Sequence, residues 1–347
     1  MNSRDKTILL YGSYGFTGRL IAGECKSRGL QVILSGRRWE SLEKQSRETG
    51  YPFEVVDLDN AVALRRLLEK GQLVIHCAGP FRFTARAMVE MCLETGTHYT
   101  DITGEYQVLE FLKSYDLQAQ KAGITILPAT GFDVVPSDCL ALHLKNLLPA
   151  AVRLQLAFSS SGKGVSRGTA RTRVEGLGEG SVVRIAGELV KIPLGQKTKV
   201  IDFGAKKLNC LNIPWGDLAT AWRSTGIPNI EVYAAASTAS IRGVRILRFF
   251  DWATPKLWLK KMLLQLVDKH IAGPSMETVN LSRSFLWGKV VDASGNSEAA
   301  TLETLNGYKL TSKTSVLIAE KILNGDFRTG YQTPGTAYGP DLILEIE

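Results

Sequence analysis

The fold of this chain is decided by the stretch Thr7-Ile8-Leu9-Leu10-Tyr11-Gly12-Ser13-Tyr14-Gly15-Phe16-Thr17-Gly18. Its first five residues form a short apolar run that predicts a strand, and the helical pattern of Arg19 to Arg28 follows the glycines. Gln31 to Ser35 is a second apolar, β-branched run. Strand, helix and strand therefore follow one another within about 30 residues, which is typical of a parallel sheet covered by helices.

The same alternation continues to residue 128. The pattern predicts helices over Ser41 to Glu48, Ala61 to Leu68, Ala85 to Glu94 and Tyr106 to Ala122. It predicts strands over Phe53 to Asp57, Leu73 to Cys77, Tyr99 to Ile102 and Ile124 to Pro128. Because apolar runs without polar alternation mark strands buried on both faces, we expect an α/β fold with a doubly wound parallel sheet.

A different pattern begins after Pro149. Apolar residues from Val152 to Phe158 alternate with less apolar ones, which predicts a half-buried strand, and the turn at residues 293–296 predicts a hairpin. Further strands are predicted over Lys199 to Phe203, Ile230 to Tyr233 and Ser284 to Val291, and helices over Thr169 to Val190 and over Thr311 to Leu323 with Thr311 as N-cap. We predict an inserted α+β domain over 150–306, containing a mostly antiparallel sheet, within a first domain of 1–149 plus 307–347.

The glycines of the opening stretch stand where the first strand passes into the first helix. Glycine there permits a tight turn and a close approach of backbone N–H groups to a pyrophosphate, and the helix N-terminus adds partial positive charge. A tight turn without a ligand is the alternative. We expect a dinucleotide at Gly12, Ser13, Tyr14, Gly15, Phe16, Thr17 and Gly18.

The second strand ends in Ser35-Gly36-Arg37-Arg38, where an NAD-binding unit carries an acid for the ribose 2′-hydroxyl. Two guanidinium groups fit a 2′-phosphate instead, which favours NADP(H) over NAD(H); a solvated basic pair is the alternative. Ligands bind at the carboxyl ends of parallel strands. Asp57 is therefore expected near the adenine, and Cys77, Ala78, Gly79 and Pro80 near the nicotinamide.

Several motifs resemble those of the saccharopine dehydrogenase-like oxidoreductases, and they follow one another along the chain in the order in which that family has them. They are the glycine stretch, Cys77-Ala78-Gly79-Pro80-Phe81, residues 97–105, residues 131–138, Tyr308-Lys309-Leu310-Thr311 and residues 332–340. Within that family the chain is similar to the branch of trans-acting enoyl reductases. The resemblance implies a Rossmann domain closed by the C-terminal helix and tail, an inserted domain for substrate binding and dimerisation, and nicotinamide-dependent redox chemistry.

Hydride transfer needs a polar group that protonates or polarises the reacting bond. By their position at strand ends, the candidates are Tyr99, Asp101, Glu105, Asp133 and Ser137. For Glu105 a helix cap or an ion pair is an equal alternative, and Ser137 could cap a following helix. Of the four histidines, His98 is the one that we expect to affect function; no metal site is predicted.

The chain has 347 residues and a formal net charge of +8, and seven basic against two acidic residues fall between Arg242 and His270. No zinc spacing, basic zipper or RNA-binding signature accompanies them, so no nucleic-acid partner is expected. Aromatic residues in this segment, Phe249, Phe250, Trp252 and Trp258, suggest a helix in a membrane interface. The favoured alternative is a helix packed at a dimer interface or over the substrate cleft.

Five cysteines without a Cys-x-x-Cys pair indicate neither a disulfide framework nor a zinc site, and favour a cytoplasmic protein. The leading hypothesis is an NADP(H)-dependent oxidoreductase, a homodimer that reduces a C=C or C=N bond of a small or acyl, lipid-like substrate. The alternatives are a saccharopine-type amino-acid dehydrogenase and a non-catalytic NADP(H)-binding protein at a lipid surface, peripheral to the membrane through residues 242–270.

Overall fold

A computed structural model describes residues 6–162, 164–204, 206–247 and 257–346. The chain forms two compact units, residues 1–135 with 308–347, and residues 136–307. The sequence predicts a domain boundary after residue 149, whereas the compact units divide after Val135. The helix that begins at Val135 therefore belongs almost entirely to the second unit.

The first unit contains a seven-stranded sheet whose described strand pairs are all parallel. Numbered along the chain, its strands are β1 (Thr7–Tyr11), β2 (Gln31–Gly36), β3 (Phe53–Val55), β4 (Leu73–His76), β5 (His98–Asp101), β6 (Thr125–Leu127) and β15 (Gly330–Tyr331). They lie in the order β15-β6-β5-β4-β1-β2-β3. This is the strand order of a doubly wound Rossmann sheet, which confirms the predicted fold class.

Helices surround this sheet. They are α1 (Phe16–Ser27), α2 (Trp39–Thr49), α3 (Ala61–Leu68), α4 (Phe81–Thr95), α5 (Tyr106–Lys113), α6 (Asp116–Ala122), α13 (Gly307–Leu323) and α14 (Pro334–Tyr338), followed by a 3-10 helix over Pro340–Glu345. Every residue of β1 and of β4 is buried, which explains their unbroken apolar runs. The single helix predicted over residues 106–122 is two helices, α5 and α6.

The long helix α13 is fixed to the loop after β6 by hydroxyl groups. Thr314 Oγ1 donates to the Thr130 carbonyl oxygen at 2.6 Å, and the hydroxyl oxygens of Thr130 and Ser315 are 2.9 Å apart. Thr311 Oγ1 accepts the backbone N–H of Phe132 at 2.9 Å. The prediction of Thr311 as N-cap is wrong, because the helix begins at Gly307 and Thr311 instead binds this neighbouring loop.

The second unit contains an eight-stranded sheet. Its strands are β7 (Ala151–Ser160), β8 (Ser181–Ile185), β9 (Glu188–Ile192), β10 (Thr198–Asp202), β11 (Lys207–Asn212), β12 (Asn229–Ala235), β13 (Arg283–Asp292) and β14 (Ser297–Leu305). The main order is β10-β11-β12-β7-β13-β14, with the β8–β9 hairpin beside β12. Among the described pairs, β12 and β7 are parallel and the others antiparallel, as predicted for a mostly antiparallel sheet.

The helices of this unit are α7 (Val135–Leu147), α8 (Arg167–Glu175), α9 (Asp217–Thr225), α10 (Thr238–Leu247), α11 (Leu257–His270) and α12 (Met276–Leu281). The helix predicted over Thr169 to Val190 is wrong beyond Glu175, where a turn leads into the β8–β9 hairpin. Gly178, Gly180 and Gly187 adopt φ values of +83°, +77° and +87°, which helix geometry does not allow.

Part of the basic segment falls outside the described residues, including Phe249, Phe250, Trp252 and the side chain of Trp258. Its C-terminal part forms α11, which packs on α8: Arg171 pairs with Asp268 at 2.8 Å, and Lys260 donates to the Glu175 carbonyl oxygen at 2.7 Å. Of the apolar residues of α11, Val267 is buried, whereas Met262 and Leu266 are exposed, and membrane contact stays a prediction. Among the described helices, none is long and apolar enough to cross a bilayer.

We expect Gly288→Ala to destabilise the second unit. A Cβ at residue 288 of β13 would lie 2.6 Å from Leu144 Cδ1 and 3.2 Å from Leu140 Cδ2, both in α7. Forcing a methyl group into such a packed site costs about 1–3 kcal/mol. The matched control is Gly243→Ala in α10, where the added Cβ meets no described atom within 4 Å. Equal urea midpoints for the two variants would contradict the packing described here.

Candidate functional site

The turn between β1 and α1 passes closer to its neighbours than any residue with a side chain allows. Gly12 has φ +77°, and a Cβ there would lie 2.8 Å from the Ala78 backbone nitrogen. A Cβ at Gly18 would lie 2.6 Å from the carbonyl oxygens of both Gly12 and Ser13. The backbone of the turn therefore packs directly against the loop after β4, and the backbone of α1 packs directly against the turn.

The N-terminus of α1 is open to an anion. Its N-cap residue, Gly15, has an extended backbone and no side chain that could cap the helix. The first turn also carries no acidic residue. Uncapped N–H groups with the helix dipole behind them bind pyrophosphate well, so this cradle fits a dinucleotide.

The two arginines after β2 lie at the same edge of the sheet. Arg37 and Arg38 are exposed, and the ring of Tyr14 packs over Gly36, where a Cβ would lie 2.6 Å from Tyr14 Cε1. Asp57, which follows β3, is exposed and accepts the backbone N–H of Asp59 at 3.2 Å. Tyr14, Arg37, Arg38 and Asp57 thus all follow carboxyl ends of neighbouring strands. Binding of the adenosine half by Arg37, Arg38 and Asp57 stays a prediction.

The loop at residues 77–80, after β4, is held by hydrogen bonds from two sides. Thr84 Oγ1 donates to the Ala78 carbonyl oxygen at 2.8 Å and lies 3.0 Å from His76 Nε2. Glu105 Oε1 accepts the N–H of Phe81 at 2.8 Å, and its Oε2 accepts that of Arg82 at 3.2 Å. The buried Glu105 carboxylate therefore caps α4, which favours the structural alternative for this residue.

Asp101 anchors the loop after β6 from within the core. Its Oδ1 accepts the N–H groups of Ala129 at 2.8 Å and Thr103 at 3.0 Å, and its Oδ2 accepts the hydroxyl of Tyr99 at 2.6 Å. Burial raises the pKa of Asp101 to about 6, against the opposing effect of these hydrogen bonds. Tyr99 and Asp101 are both fully buried, so their geometry favours positioning the loop over contact with a substrate.

The two remaining catalytic candidates fall in different units. Asp133 belongs to the first unit, is half-buried, and lies so close to Gly104 that a Cβ there would be 2.6 Å from Asp133 Oδ2. Ser137 belongs to the second unit, where its buried hydroxyl donates to Asp217 Oδ1 at 2.6 Å. Of the four candidates in the first unit, Asp133 is the one that is not buried.

His98 is a packed core residue. It is 6% exposed, its Nδ1 accepts the N–H of Thr125 at 3.1 Å, and its ring meets Phe327 edge-on with centroids 4.3 Å apart. Sequence reasoning also overlooked an aromatic contact beside the glycine turn, between Phe16 and Tyr308, whose centroids are 5.0 Å apart. No sequence spacing could reveal this contact, because Tyr308 follows the whole second unit.

Fold and cradle together define a Rossmann domain whose first turn fits a dinucleotide. Residues 8–127 match the saccharopine dehydrogenase NADP binding domain. This match and those below confirm the resemblance to the saccharopine dehydrogenase-like oxidoreductases, and residues 8–127 form an NADP(H)-binding domain.

Similar proteins include the saccharopine dehydrogenase-like oxidoreductase of Rattus norvegicus, 30% identical over 225 residues that cover 56% of this chain and 52% of the relative. A trans-acting enoyl reductase of Mycobacterium tuberculosis is 32% identical over 143 residues, 39% of this chain and 34% of the relative. The alignments thus span about half the length of the mammalian relatives and a third of the mycobacterial one.

A solved structure shares the fold of nearly the whole chain. The apo saccharopine dehydrogenase (L-Glu forming) of Saccharomyces cerevisiae has a TM-score of 0.67 and 14% identity, and the match covers 98% of this chain and 96% of that one. At this identity the likeness concerns the fold alone.

We expect Asp101→Asn to remove a pH dependence of stability. The pKa of Asp101 rises from 3.8 to about 6 on folding. Its stabilising contribution to the free energy of unfolding is therefore fully present below pH 3.8 and is lost as the pH rises through about 6. Over that range the wild type should lose on the order of 3 kcal/mol relative to Asp101→Asn, which keeps the shape of the side chain. The measurement is urea unfolding at several pH values.

The control for this experiment is Glu69→Gln, which changes an exposed carboxylate at the end of α3. It should follow the wild type at every pH. If the stability of Asp101→Asn also follows that of the wild type at every pH, then burial does not raise the pKa of Asp101 as described here.

Proposed function

We propose that this protein is an NADP(H)-dependent reductase that acts on a C=C or C=N bond of a small or acyl, lipid-like substrate. The observation that carries the proposal is the cradle at Gly12 and Gly18, built against the loop after β4 at the carboxyl edge of a Rossmann sheet. The name of the mycobacterial relatives, trans-acting enoyl reductase, supports a C=C bond as the reacting group.

Each part of the cofactor has residues that would hold it. The N–H groups at the start of α1 and the turn at residues 12–18 would bind the pyrophosphate, Arg37 and Arg38 the 2′-phosphate, and residues 77–80 the nicotinamide end. Bound NADPH supplies a hydride to the substrate. The protein then has to hold the cofactor in place, exclude water and deliver a proton.

Among the chain's own groups, we propose Asp133 as the one that delivers the proton to the substrate. It lies in the loop that follows β6, at the carboxyl edge of the sheet, and is half-exposed. Asp101 holds the start of this loop through the N–H of Ala129, and Thr311 holds its middle through the N–H of Phe132. Asp133 is thus a carboxyl group on an anchored loop at the edge of the sheet where parallel sheets bind ligands, which supports this assignment.

A substrate panel separates this function from its alternatives. Purified protein is titrated with NADPH and NADH, and NADPH oxidation is followed with α,β-unsaturated acyl thioesters and with imines formed from an aldehyde and an amino acid. Turnover of saccharopine with NADP would favour the amino-acid dehydrogenase. NADPH binding without turnover, combined with co-sedimentation on anionic vesicles, would favour the non-catalytic alternative. The homodimer, the cytoplasmic location and the membrane contact through residues 242–270 stay predictions.

The double variant Arg37→Ser with Arg38→Ser should weaken NADPH binding about 10- to 100-fold and leave NADH binding nearly unchanged. Charge-assisted hydrogen bonds to the 2′-phosphate contribute about 1.5–3 kcal/mol, and NADH offers no such group. The control is Arg47→Ser, an exposed arginine of α2, the helix that follows the pair, where it forms an ion pair with Glu43. Dissociation constants from calorimetry decide the matter, and an equal loss for NADPH and NADH would refute the role of the arginines.

Asp133→Asn should lower kcat about 10²- to 10⁴-fold, the usual contribution of a positioned acid or base, while the dissociation constant for NADPH stays the same. The change preserves shape and removes the proton that the carboxyl group can deliver. Asp341→Asn, at an exposed position in the C-terminal 3-10 helix, is the control. A parallel loss of NADPH affinity would show that Asp133 supports the cofactor instead of moving a proton.

A further inference from the structure

A large aromatic side chain is left exposed beside the two arginines. Trp39 is the first residue of α2, and 52% of its surface is accessible to solvent. Val55, the last residue of β3, is 44% exposed and lies opposite Gly36 in the β2–β3 register. Arg37 and Arg38 directly precede Trp39 in the chain and are exposed as well. The edge of the sheet next to Arg37 and Arg38 therefore offers an apolar surface as well as two cations.

Two contacts hold this region in a fixed relation to the glycine turn. Ser13 Oγ donates to Gln45 Oε1 at 2.8 Å, and Gln45 Nε2 donates to the Ser13 carbonyl oxygen at 2.9 Å. Both residues are buried, so this pair ties α2 to the turn from inside. On the other side, the Tyr14 ring packs over Gly36, immediately before the arginines. Helix α2 thus presents Trp39 from a backbone that is anchored to the pyrophosphate cradle.

We propose that Trp39 stacks on the adenine ring of NADP(H), next to the arginines that bind the 2′-phosphate. The adenosine 2′-phosphate consists of a flat aromatic base and a dianion, and the chain offers an indole and two guanidinium groups in adjacent positions. Stacking of a base on an aromatic side chain contributes about 1–3 kcal/mol, because both flat faces leave water. Trp39 is therefore a binding residue for the adenine, and the inference rests on the NADP(H) assignment made above.

This division of labour has a specific signature. Stacking should act on every ligand that contains adenine, whereas the arginines should act only on ligands that also carry the 2′-phosphate. Two probes separate these effects: 2′,5′-ADP contains both groups, and 5′-AMP contains the base without the 2′-phosphate. Neither probe contains nicotinamide, so the measurement does not depend on turnover or on an identified substrate.

Calorimetric titration with both probes tests the proposal. Trp39→Ala should weaken the binding of 2′,5′-ADP and of 5′-AMP by the same factor, about tenfold. Trp39→Phe keeps an aromatic face and should retain most of the affinity. The matched control is Leu117→Ala, which removes a side chain that is 69% exposed on α6 of the same unit and should change neither affinity.

Tryptophan fluorescence gives a second readout that does not require the alanine variant to fold. A base stacked on Trp39 should quench part of the wild-type emission when 2′,5′-ADP is added, and Trp39→Phe should lose that part of the quenching. If Trp39→Ala unfolds, this comparison alone decides, and equal quenching in wild type and Trp39→Phe overturns the proposal.

The remaining outcomes separate the inference from the function on which it rests. Wild-type protein that binds neither 2′,5′-ADP nor NADPH contradicts the NADP(H) assignment itself. Wild-type protein that binds both, with Trp39→Ala binding as tightly, leaves the assignment intact and overturns the stacking. Unchanged affinity together with a changed sedimentation coefficient for Trp39→Ala also overturns it and assigns the exposed indole to a protein contact.

Discussion

The first unit depends on one steric constraint, the approach of the glycine turn to the backbone around it. Three strand ends meet there: the N–H of Gly12 donates to the Ser35 carbonyl oxygen, and the N–H of Cys77 donates to that of Tyr11, both at 2.8 Å. A side chain at Gly12 or Gly18 would push backbone against backbone, which cannot yield as a flexible side chain does. The same close backbone packing keeps the uncapped start of α1 beside the ends of β2 and β4. The fold and the cofactor site therefore both depend on these glycines.

Carboxylates at the edge of this sheet serve mainly to satisfy backbone N–H groups. Asp101 accepts from a residue 28 positions away and Glu105 from one 24 positions away, and both are buried. Anchoring of this kind is what a site requires before any chemistry, because loops without regular hydrogen bonds need other partners for their N–H groups. The position of an acid at a strand end therefore identifies the site but does not separate the anchoring groups from a reacting one.

The sequence was most informative where local physics decides the structure. Unbroken apolar runs predicted β1 and β4 because burial on both faces leaves no other pattern, and the glycine spacing predicted the turn because only glycine fits it. The failures have a different origin. The role of Thr311 is set by a loop that precedes the second unit, and the partner of Ser137, Asp217, lies 80 residues further on. The sequence predicts helix where the β8–β9 hairpin lies, because a glycine can stand in a helix or in a turn. Only the structure shows that these glycines adopt the positive φ of turns.

The cofactor site combines two kinds of recognition that respond differently to change. In our proposal the pyrophosphate is bound by backbone N–H groups whose positions are fixed by the close packing of the turn, so that part of the site cannot change without changing the fold. In our proposal the adenosine end is bound by Arg37, Arg38 and Trp39, which are all exposed. They stand at the start of α2, and the buried Gln45 of that helix is hydrogen-bonded to Ser13. Because the buried residues that anchor α2 differ from the exposed residues proposed to bind the adenosine end, the preference between NADP(H) and NAD(H) can change at this edge while the core stays the same.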